Sequence, residues 1–127
     1  MKRLLIVDDS KLMRDMVAAC LRPIGEVAFD FASTGLEAIE RLALAGFDLV
    51  VLDLNMPDVG GLEVIEFVRA QDSLRALPIL IVTSRSDDDS RARVLAAGAS
   101  SFLPKPFAPL QILGEVKRLL GADRAAS

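Results

Sequence analysis

The chain has 127 residues, of which 52% are hydrophobic and 26% charged, a composition that suits one compact domain. Its net charge of −3 comes without the basic stripe that binding to nucleic acid requires, and no apolar run is long enough for membrane insertion. We therefore expect a cytoplasmic protein. The sequence contains no histidine and one cysteine, which excludes histidine-based catalysis, histidine metal sites and internal disulfides. Any chemistry must come from carboxylate, hydroxyl and amine groups.

Short apolar runs separated by amphipathic stretches predict buried parallel strands that alternate with helices. In chain order, the predicted strands cover residues 3–7, 26–31, 49–52, 79–82 and 100–103. The predicted helices cover residues 10–21, 34–45, 62–71, 87–97 and 109–120. Each strand is thus followed by one helix, which is the pattern of repeated strand–helix units.

Capping residues mark the starts of two predicted helices. Thr34 and Glu37 have the spacing of a capping box, in which the two residues satisfy each other's free backbone N–H groups. Ser86 is predicted to cap the fourth helix, with the acidic run 87–89 in its first turn. Acidic side chains favour the positive end of the helix dipole, so this run needs no metal ion to explain it.

Gly121 is predicted to end the last helix, which leaves residues 1–121 as one domain and 122–127 as a frayed C-terminal tail. Right-handed crossovers between consecutive strands then give a five-stranded, doubly wound parallel sheet with five helices on its two faces. The order 2-1-3-4-5, a flavodoxin-like α/β arrangement, is the natural choice. It places the first and third strands side by side.

Residues that can perform phosphoryl chemistry follow four of the predicted strands. These are Asp8 and Asp9 after the first strand, Asp53 after the third, Thr83 after the fourth and Lys105 after the fifth. Because the carboxyl ends of parallel strands share one edge, we expect these side chains to converge. Two carboxylates about 4 Å apart repel by roughly 4 kcal/mol at an effective dielectric constant of about 20, so the cluster requires a cation. Oxygen ligands of this kind fit Mg²⁺.

Each of these residues has an ordinary explanation when it is considered alone. Asp8 or Asp9 could cap the first helix, Lys105 could be a solvated surface lysine, and Thr83 could be an ordinary strand residue. Their joint position at strand ends in one architecture favours a functional site over a chance arrangement.

The same segments resemble the receiver domain of two-component response regulators. The resemblance covers residues 3–120 and is carried by the runs LLIVDDSKLMR, VVLDLNMPDVGGLEVI, ILIVTS and AAGASSFLPKPF. An acidic pair, an aspartate, a threonine and a Lys-Pro pair in this order form a specific signature. Two departures are mild: Gly60 stands where an aspartate is common, and Phe102 where tyrosine or phenylalanine is usual.

The resemblance implies that Asp53 accepts a phosphoryl group from a phosphohistidine on a histidine kinase or histidine phosphotransfer protein, with Mg²⁺ as the cofactor. Asp9 would bind Mg²⁺ directly together with Asp53, Asp8 largely through water, and Asn55 through its backbone carbonyl. Lys105 would pair with Asp53 before the reaction and with the phosphoryl group after it. Small acyl phosphates are a second class of donor. In this interpretation the chain is a signalling phosphoacceptor and not an enzyme.

The resemblance also implies a switch. The Thr83 hydroxyl would move to the phosphoryl group, and the Phe102 ring would fill the space that Thr83 vacates; the alternative is that Phe102 is a core aromatic in both states. The face formed by the fourth helix, fifth strand and fifth helix would then control an unidentified downstream protein effector. A stand-alone regulator, of the chemotaxis type or a phosphorelay intermediate, is expected to be a monomer before phosphorylation. The bond between Lys105 and Pro106 is expected to be cis.

Three other functions stay open at this stage. A Mg²⁺-dependent phosphatase of the haloacid dehalogenase type would need a second aspartate where Asn55 stands. A flavin carrier would need a phosphate-binding loop rich in serine, threonine and glycine after the first strand, where this chain has Asp-Asp-Ser-Lys-Leu. A pseudo-receiver that acts only as an interaction module would not need the complete set of site residues.

Overall fold

The computed structural model describes residues 1–126, with side chains described for residues 1–121. Within these residues, strands and α-helices alternate along the chain. The strands are β1 (Lys2–Val7), β2 (Val27–Ala32), β3 (Leu49–Leu52), β4 (Ile79–Thr83) and β5 (Ser101–Pro104). The α-helices are α1 (Lys11–Leu21), α2 (Gly35–Leu44), α3 (Gly61–Ala70), α4 (Asp88–Ala97) and α5 (Pro109–Ala126). The predicted alternation is confirmed, with small shifts at the ends of several elements.

The described strands form one parallel sheet in the order β2-β1-β3-β4-β5, as predicted. In the pairing of β1 with β3, Val7 lies opposite Leu52. The next residues, Asp8 and Asp53, therefore leave the sheet side by side. The strand order thus places the acidic residues of two separate segments at the same edge.

Helices cover both faces of the sheet and bury it completely at its centre. On one face α1 and α5 pack through side chains such as Val17 and Ile112, and on the other α2, α3 and α4 pack through Leu42, Ile65 and Val94. Every residue of β3 and β4 is buried, as expected for strands between two helical layers. The site therefore lies at the end of the most completely buried strands of the sheet. Among the helices of the described residues, none is both long and apolar enough to cross a membrane.

The capping box of α2 differs in one bond from the prediction. The Thr34 hydroxyl accepts the N–H of Glu37 at 3.0 Å, as predicted. The Glu37 carboxylate accepts the N–H of Ser33 at 3.0 Å, rather than that of Thr34. The Glu37 side chain reaches one residue further back along the chain than a capping box requires, and it still satisfies an N–H group that precedes the helix.

The cap of α4 is Asp87, so the prediction of Ser86 is wrong. The Asp87 carboxylate accepts the backbone N–H of Ser90 at 3.0 Å and its hydroxyl at 2.8 Å. These two bonds lower the pKa of Asp87 from its ordinary value. A negative charge at the positive end of a helix binds these N–H groups more strongly than a neutral hydroxyl, which explains the one-residue shift.

Helix α5 continues to Ala126, past Gly121. The prediction that Gly121 ends the helix is wrong, because one glycine in a helix interior costs only about 1 kcal/mol and alanine, the best helix former, follows it. The predicted frayed tail at 122–127 lies outside the residues that are described with their side chains. The bond between Lys105 and Pro106 is cis, as expected.

Arg69, near the end of α3, connects three segments of backbone. Its guanidinium group donates to the carbonyl oxygens of Leu77 at 2.7 Å, Gly98 at 2.7 Å and Arg75 at 3.0 Å. Burial lowers the pKa of Arg69 from its ordinary value. The side chain therefore ties the start of β4 and the end of α4 to α3.

Replacement of Arg69 by methionine should lower the free energy of unfolding by about 2–3 kcal/mol, because the aliphatic volume is kept while several carbonyl groups lose a charged donor. Urea unfolding followed by circular dichroism measures the change. Arg118→Met is the matched control, since Arg118 forms an exposed pair with Glu115 and its loss should change stability by less than about 1 kcal/mol. Equal effects of the two variants would contradict the role assigned to Arg69.

Candidate functional site

Three carboxylates meet at the carboxyl edge of β1 and β3. One oxygen atom from each of Asp8, Asp9 and Asp53 lies within 4.8 Å of the other two. Asp8 and Asp53 are buried, each 5% exposed, whereas Asp9 is exposed. Among the described residues, the acidic run 87–89 forms no comparable group. The three carboxylates therefore converge at the edge of the sheet that the sequence predicts.

Backbone hydrogen bonds hold the two buried carboxylates in place. The N–H of Asp53 donates to the carbonyl of Val7 at 3.0 Å and so extends the ladder between β1 and β3. The Oδ1 atom of Asp8 accepts the N–H of Ser10 at 3.0 Å, and the Oδ1 atom of Asp53 accepts the N–H of Asn55 at 3.3 Å. In each carboxylate, one oxygen binds the following turn and the other is left for the site.

Lys105, after β5, brings a positive charge to the cluster. Its Nζ atom lies 2.8 Å from Oδ2 of Asp8 and 3.5 Å from Oδ2 of Asp53, and its side chain is 15% exposed. The resemblance implied a pair with Asp53, but the shorter contact is with Asp8. The N–H of Lys105 also donates to the carbonyl of Thr83 at 2.9 Å, which fixes the end of β5 against β4.

The charges and donor atoms of this cluster fit a divalent cation. Three carboxylates and one ammonium group leave a net charge of −2 within a few ångströms. The available ligand atoms are all oxygens, which is the donor set that Mg²⁺ prefers. Without a cation, the repulsion among the carboxylates is offset in part by Lys105, by the N–H groups of Ser10 and Asn55, and by solvent at Asp9.

Thr83 and Phe102 lie on β4 and β5, the two strands that follow β3 in the order of the sheet. Thr83 ends β4, is fully buried, and its hydroxyl oxygen accepts the N–H of Arg85 at 3.1 Å. Phe102 lies in β5, is half-buried, and the guanidinium group of Arg91 in α4 lies 5.9 Å from the centre of its ring. A cavity of about 500 Å³ over β5, between α4 and α5, is lined by Phe102 and Arg91 among others.

Two contacts next to the site have no signal in the sequence. The guanidinium group of Arg14 in α1 donates to the backbone carbonyl of Asp8 at 2.7 Å. The carboxylate of Asp58 accepts the N–H groups of Gly35 and Leu36 at the start of α2, each at 3.2 Å. Both contacts join elements whose relative position depends on tertiary packing, so neither spacing nor periodicity predicts them.

A family model of the response regulator receiver domain matches residues 4–117 of the chain. Chemotaxis protein CheY-3 of Vibrio cholerae is 35% identical over 105 residues, which are 83% of this chain and 81% of that protein. Response regulator MprA of Mycobacterium leprae is 38% identical over 118 residues, which are 93% of this chain and 50% of that protein.

Solved structures show the same similarity. The crystal structure of the Vibrio cholerae chemotaxis protein CheY4 has a TM-score of 0.86 at 34% identity, and the match covers 94% of this chain and 98% of that one. The structure of a CheY-like receiver domain protein from Methanospirillum hungatei has a TM-score of 0.90 at 27% identity, and the match covers 100% of this chain and 99% of that one.

Proposed function

This chain belongs to the receiver-domain family of response regulators, and from that premise we propose that it accepts a phosphoryl group on Asp53. The geometry at the end of β3 is the main support. Asp53 is buried, lies within 4.8 Å of two other carboxylates, and has the Lys105 ammonium group 3.5 Å away. A carboxylate can act as a nucleophile toward phosphorus where fixed positive charge offsets the charge of the incoming group.

The cofactor in this proposal is Mg²⁺, held by Asp8, Asp9, Asp53 and the backbone carbonyl of Asn55. When bound, it would neutralise charge on the phosphoryl oxygens. Lys105 is held close by Asp8 and can turn from the Asp53 carboxylate to a phosphoryl oxygen with a small movement. The buried Thr83 hydroxyl keeps its hydrogen free to donate to another phosphoryl oxygen, since its oxygen is the acceptor for Arg85.

The phosphoryl donor is a phosphohistidine on a histidine kinase or phosphotransfer protein, with small acyl phosphates as a second class. An oxygen of Asp53 forms the new bond to phosphorus while the bond from phosphorus to the donor nitrogen breaks and leaves its electron pair on the imidazole. The product on this chain is an acyl phosphate. The chain promotes only its own phosphorylation and dephosphorylation and turns over no other substrate.

The output is a change in the face formed by α4, β5 and α5. The half-buried Phe102 lies beside the cavity on this face, so an inward movement of its ring would change the surface that a partner contacts. A shift of Thr83 toward the phosphoryl group would make room for that movement. A downstream protein effector shifts this equilibrium only as far as its affinities for the two states differ. We propose a regulator that is monomeric before phosphorylation, with chemotaxis as a candidate pathway because the similar Vibrio cholerae proteins are chemotaxis proteins.

Intact-protein mass spectrometry after incubation with acetyl phosphate tests the proposal. We expect one added phosphoryl group in the presence of Mg²⁺ and none in the presence of EDTA, with the label on the peptide that contains Asp53. Binding of a beryllofluoride mimic serves as the control for an acyl phosphate that hydrolyses quickly. A chain that neither gains the adduct nor binds the mimic would be a pseudo-receiver, and steady turnover of a phosphate ester would indicate a phosphatase.

A further inference from the structure

Asp58 connects the loop after β3 to the start of α2. We call residues 53–60 the acceptor loop. The two carboxylate oxygens of Asp58 accept the N–H groups of Gly35 and Leu36, one bond each, at 3.2 Å. The first N–H groups of a helix have no partner within the helix, and an acidic side chain is favoured there by the helix dipole. The acceptor loop therefore supplies part of the N-terminal cap of a helix that lies far from it in sequence.

The backbone of the acceptor loop is packed tightly at both of its ends. A Cβ atom on Gly35 would collide with the carbonyl oxygen of Val59, so α2 and the loop are in direct backbone contact. A Cβ atom on Gly61 would come within 2.7 Å of the carbonyl oxygen of Asp53, and the N–H of Gly61 donates to Leu54 at 3.3 Å. The loop has little room to move while these contacts persist.

The environment of Asp58 keeps its carboxylate ionised. Desolvation raises the pKa of Asp58. Hydrogen bonds from the backbone N–H groups of Val59, Leu36 and Gly35 lower it by a larger amount, so the pKa lies below its ordinary value. The bonds to α2 are thus charge-assisted at neutral pH.

We infer that Asp58 is a positioning residue for the phosphoryl site, which fastens the acceptor loop to α2 so that the backbone of Asn55 is held against the Asp53 carboxylate. This inference rests on the proposed function, since it assigns Asp58 a role in that same site. Asn55 lies three residues before Asp58, and its N–H donates to Asp53 at 3.3 Å. A displaced loop would therefore move the carbonyl of Asn55 away from the position at which it can bind Mg²⁺. Residues that orient metal ligands from outside typically change metal affinity by about ten- to a hundredfold when they are lost.

Three variants distinguish a positioning role of Asp58 in the metal site from a role only in the stability of the fold. Asp58→Ala removes both bonds to α2, and Asp58→Asn keeps one acceptor oxygen. Thr34→Ala removes the other cap of the same helix, the bond to the N–H of Glu37, and leaves the loop intact. Mg²⁺ affinity of the metal-free proteins is measured from backbone amide NMR shifts, and Tm from circular dichroism.

We expect Asp58→Ala to raise the Kd for Mg²⁺ about tenfold and Asp58→Asn to give an intermediate value. Thr34→Ala should lower Tm without a change in Kd. With acetyl phosphate, Asp58→Ala should need correspondingly more Mg²⁺ for its half-maximal rate, while its rate at saturating Mg²⁺ stays near that of the wild type. If Asp58→Ala lowers Tm but binds Mg²⁺ with the wild-type Kd, Asp58 is only a helix cap and the inference is wrong. A wild type that itself binds no Mg²⁺ would overturn the proposed function, which is a different result.

Discussion

The Asp53→Asn variant should gain no phosphoryl group from acetyl phosphate at any Mg²⁺ concentration, because an amide oxygen is too weak a nucleophile to replace the carboxylate. Asparagine has nearly the same shape, and its oxygen can still accept the N–H of Asn55 that now binds Asp53. The fold should therefore persist, and the loss should be chemical. Intact-mass spectra of the wild type and the variant under the same conditions provide the comparison. An adduct of equal size on the variant would show that a residue other than Asp53 accepts the phosphoryl group.

The same variant should be more stable than the wild type when metal is absent. It removes one of three negative charges that lie within 4.8 Å of one another, while Lys105 keeps its 2.8 Å contact with Asp8. Solvent at Asp9 screens part of the repulsion, so we expect a gain of about 1 kcal/mol, or an increase in Tm of about 4 °C. Circular dichroism in EDTA at low ionic strength measures it.

Addition of Mg²⁺ should reduce this difference. A cation that binds only the folded wild type stabilises it by about 1.4 kcal/mol at ten times its Kd, and the variant, which lacks one ligand, should gain less. Glu66→Gln is the matched control, because it removes one exposed negative charge from α3 without altering the cluster. A wild-type Tm that does not depend on Mg²⁺ would contradict the metal site.

The strands were predictable because parallel strands between two helical layers must be apolar along their whole length. The run LVVL of β3 shows this directly, since all four residues are buried. The ends of helices were less predictable, because several adjacent residues can serve as caps. Asp87 and Ser86 both have capping side chains, and the negative charge of Asp87, which binds the N–H of Ser90, favours it over the neutral hydroxyl.

The convergence of the site followed from topology alone. Once β1 and β3 are neighbours, Asp8 and Asp53 must leave the sheet together, whatever their side-chain conformations. The partner of Lys105 was harder to predict, since a long flexible side chain can reach either carboxylate, and the shorter contact is with Asp8. The contact of Asp58 with α2 depends on how the acceptor loop packs, which no local pattern in the sequence records.

The close contact between α2 and the acceptor loop predicts the second large effect, which is on the free energy of unfolding. Replacement of Gly35 by alanine should lower the free energy of unfolding by about 2 kcal/mol, because the new methyl group meets the carbonyl oxygen of Val59, and backbone atoms cannot turn aside as a flexible side chain can. The favourable helix propensity of alanine, about 1 kcal/mol relative to glycine, offsets only part of the cost. Urea unfolding followed by circular dichroism is the suitable measurement, since the chain has no tryptophan or tyrosine for fluorescence.

Gly46→Ala is the control. Gly46 follows the C-terminal end of α2, and a Cβ atom there meets nothing within 4 Å. Its stability should equal or slightly exceed that of the wild type, since alanine reduces the entropy of the unfolded chain. If Gly35→Ala is as stable as Gly46→Ala, the loop yields easily and the contact between α2 and the acceptor loop is not tight. If Gly35→Ala loses stability and also binds Mg²⁺ more weakly, displacement of the acceptor loop explains the weaker binding, because the atoms nearest to the added methyl group all belong to Val59.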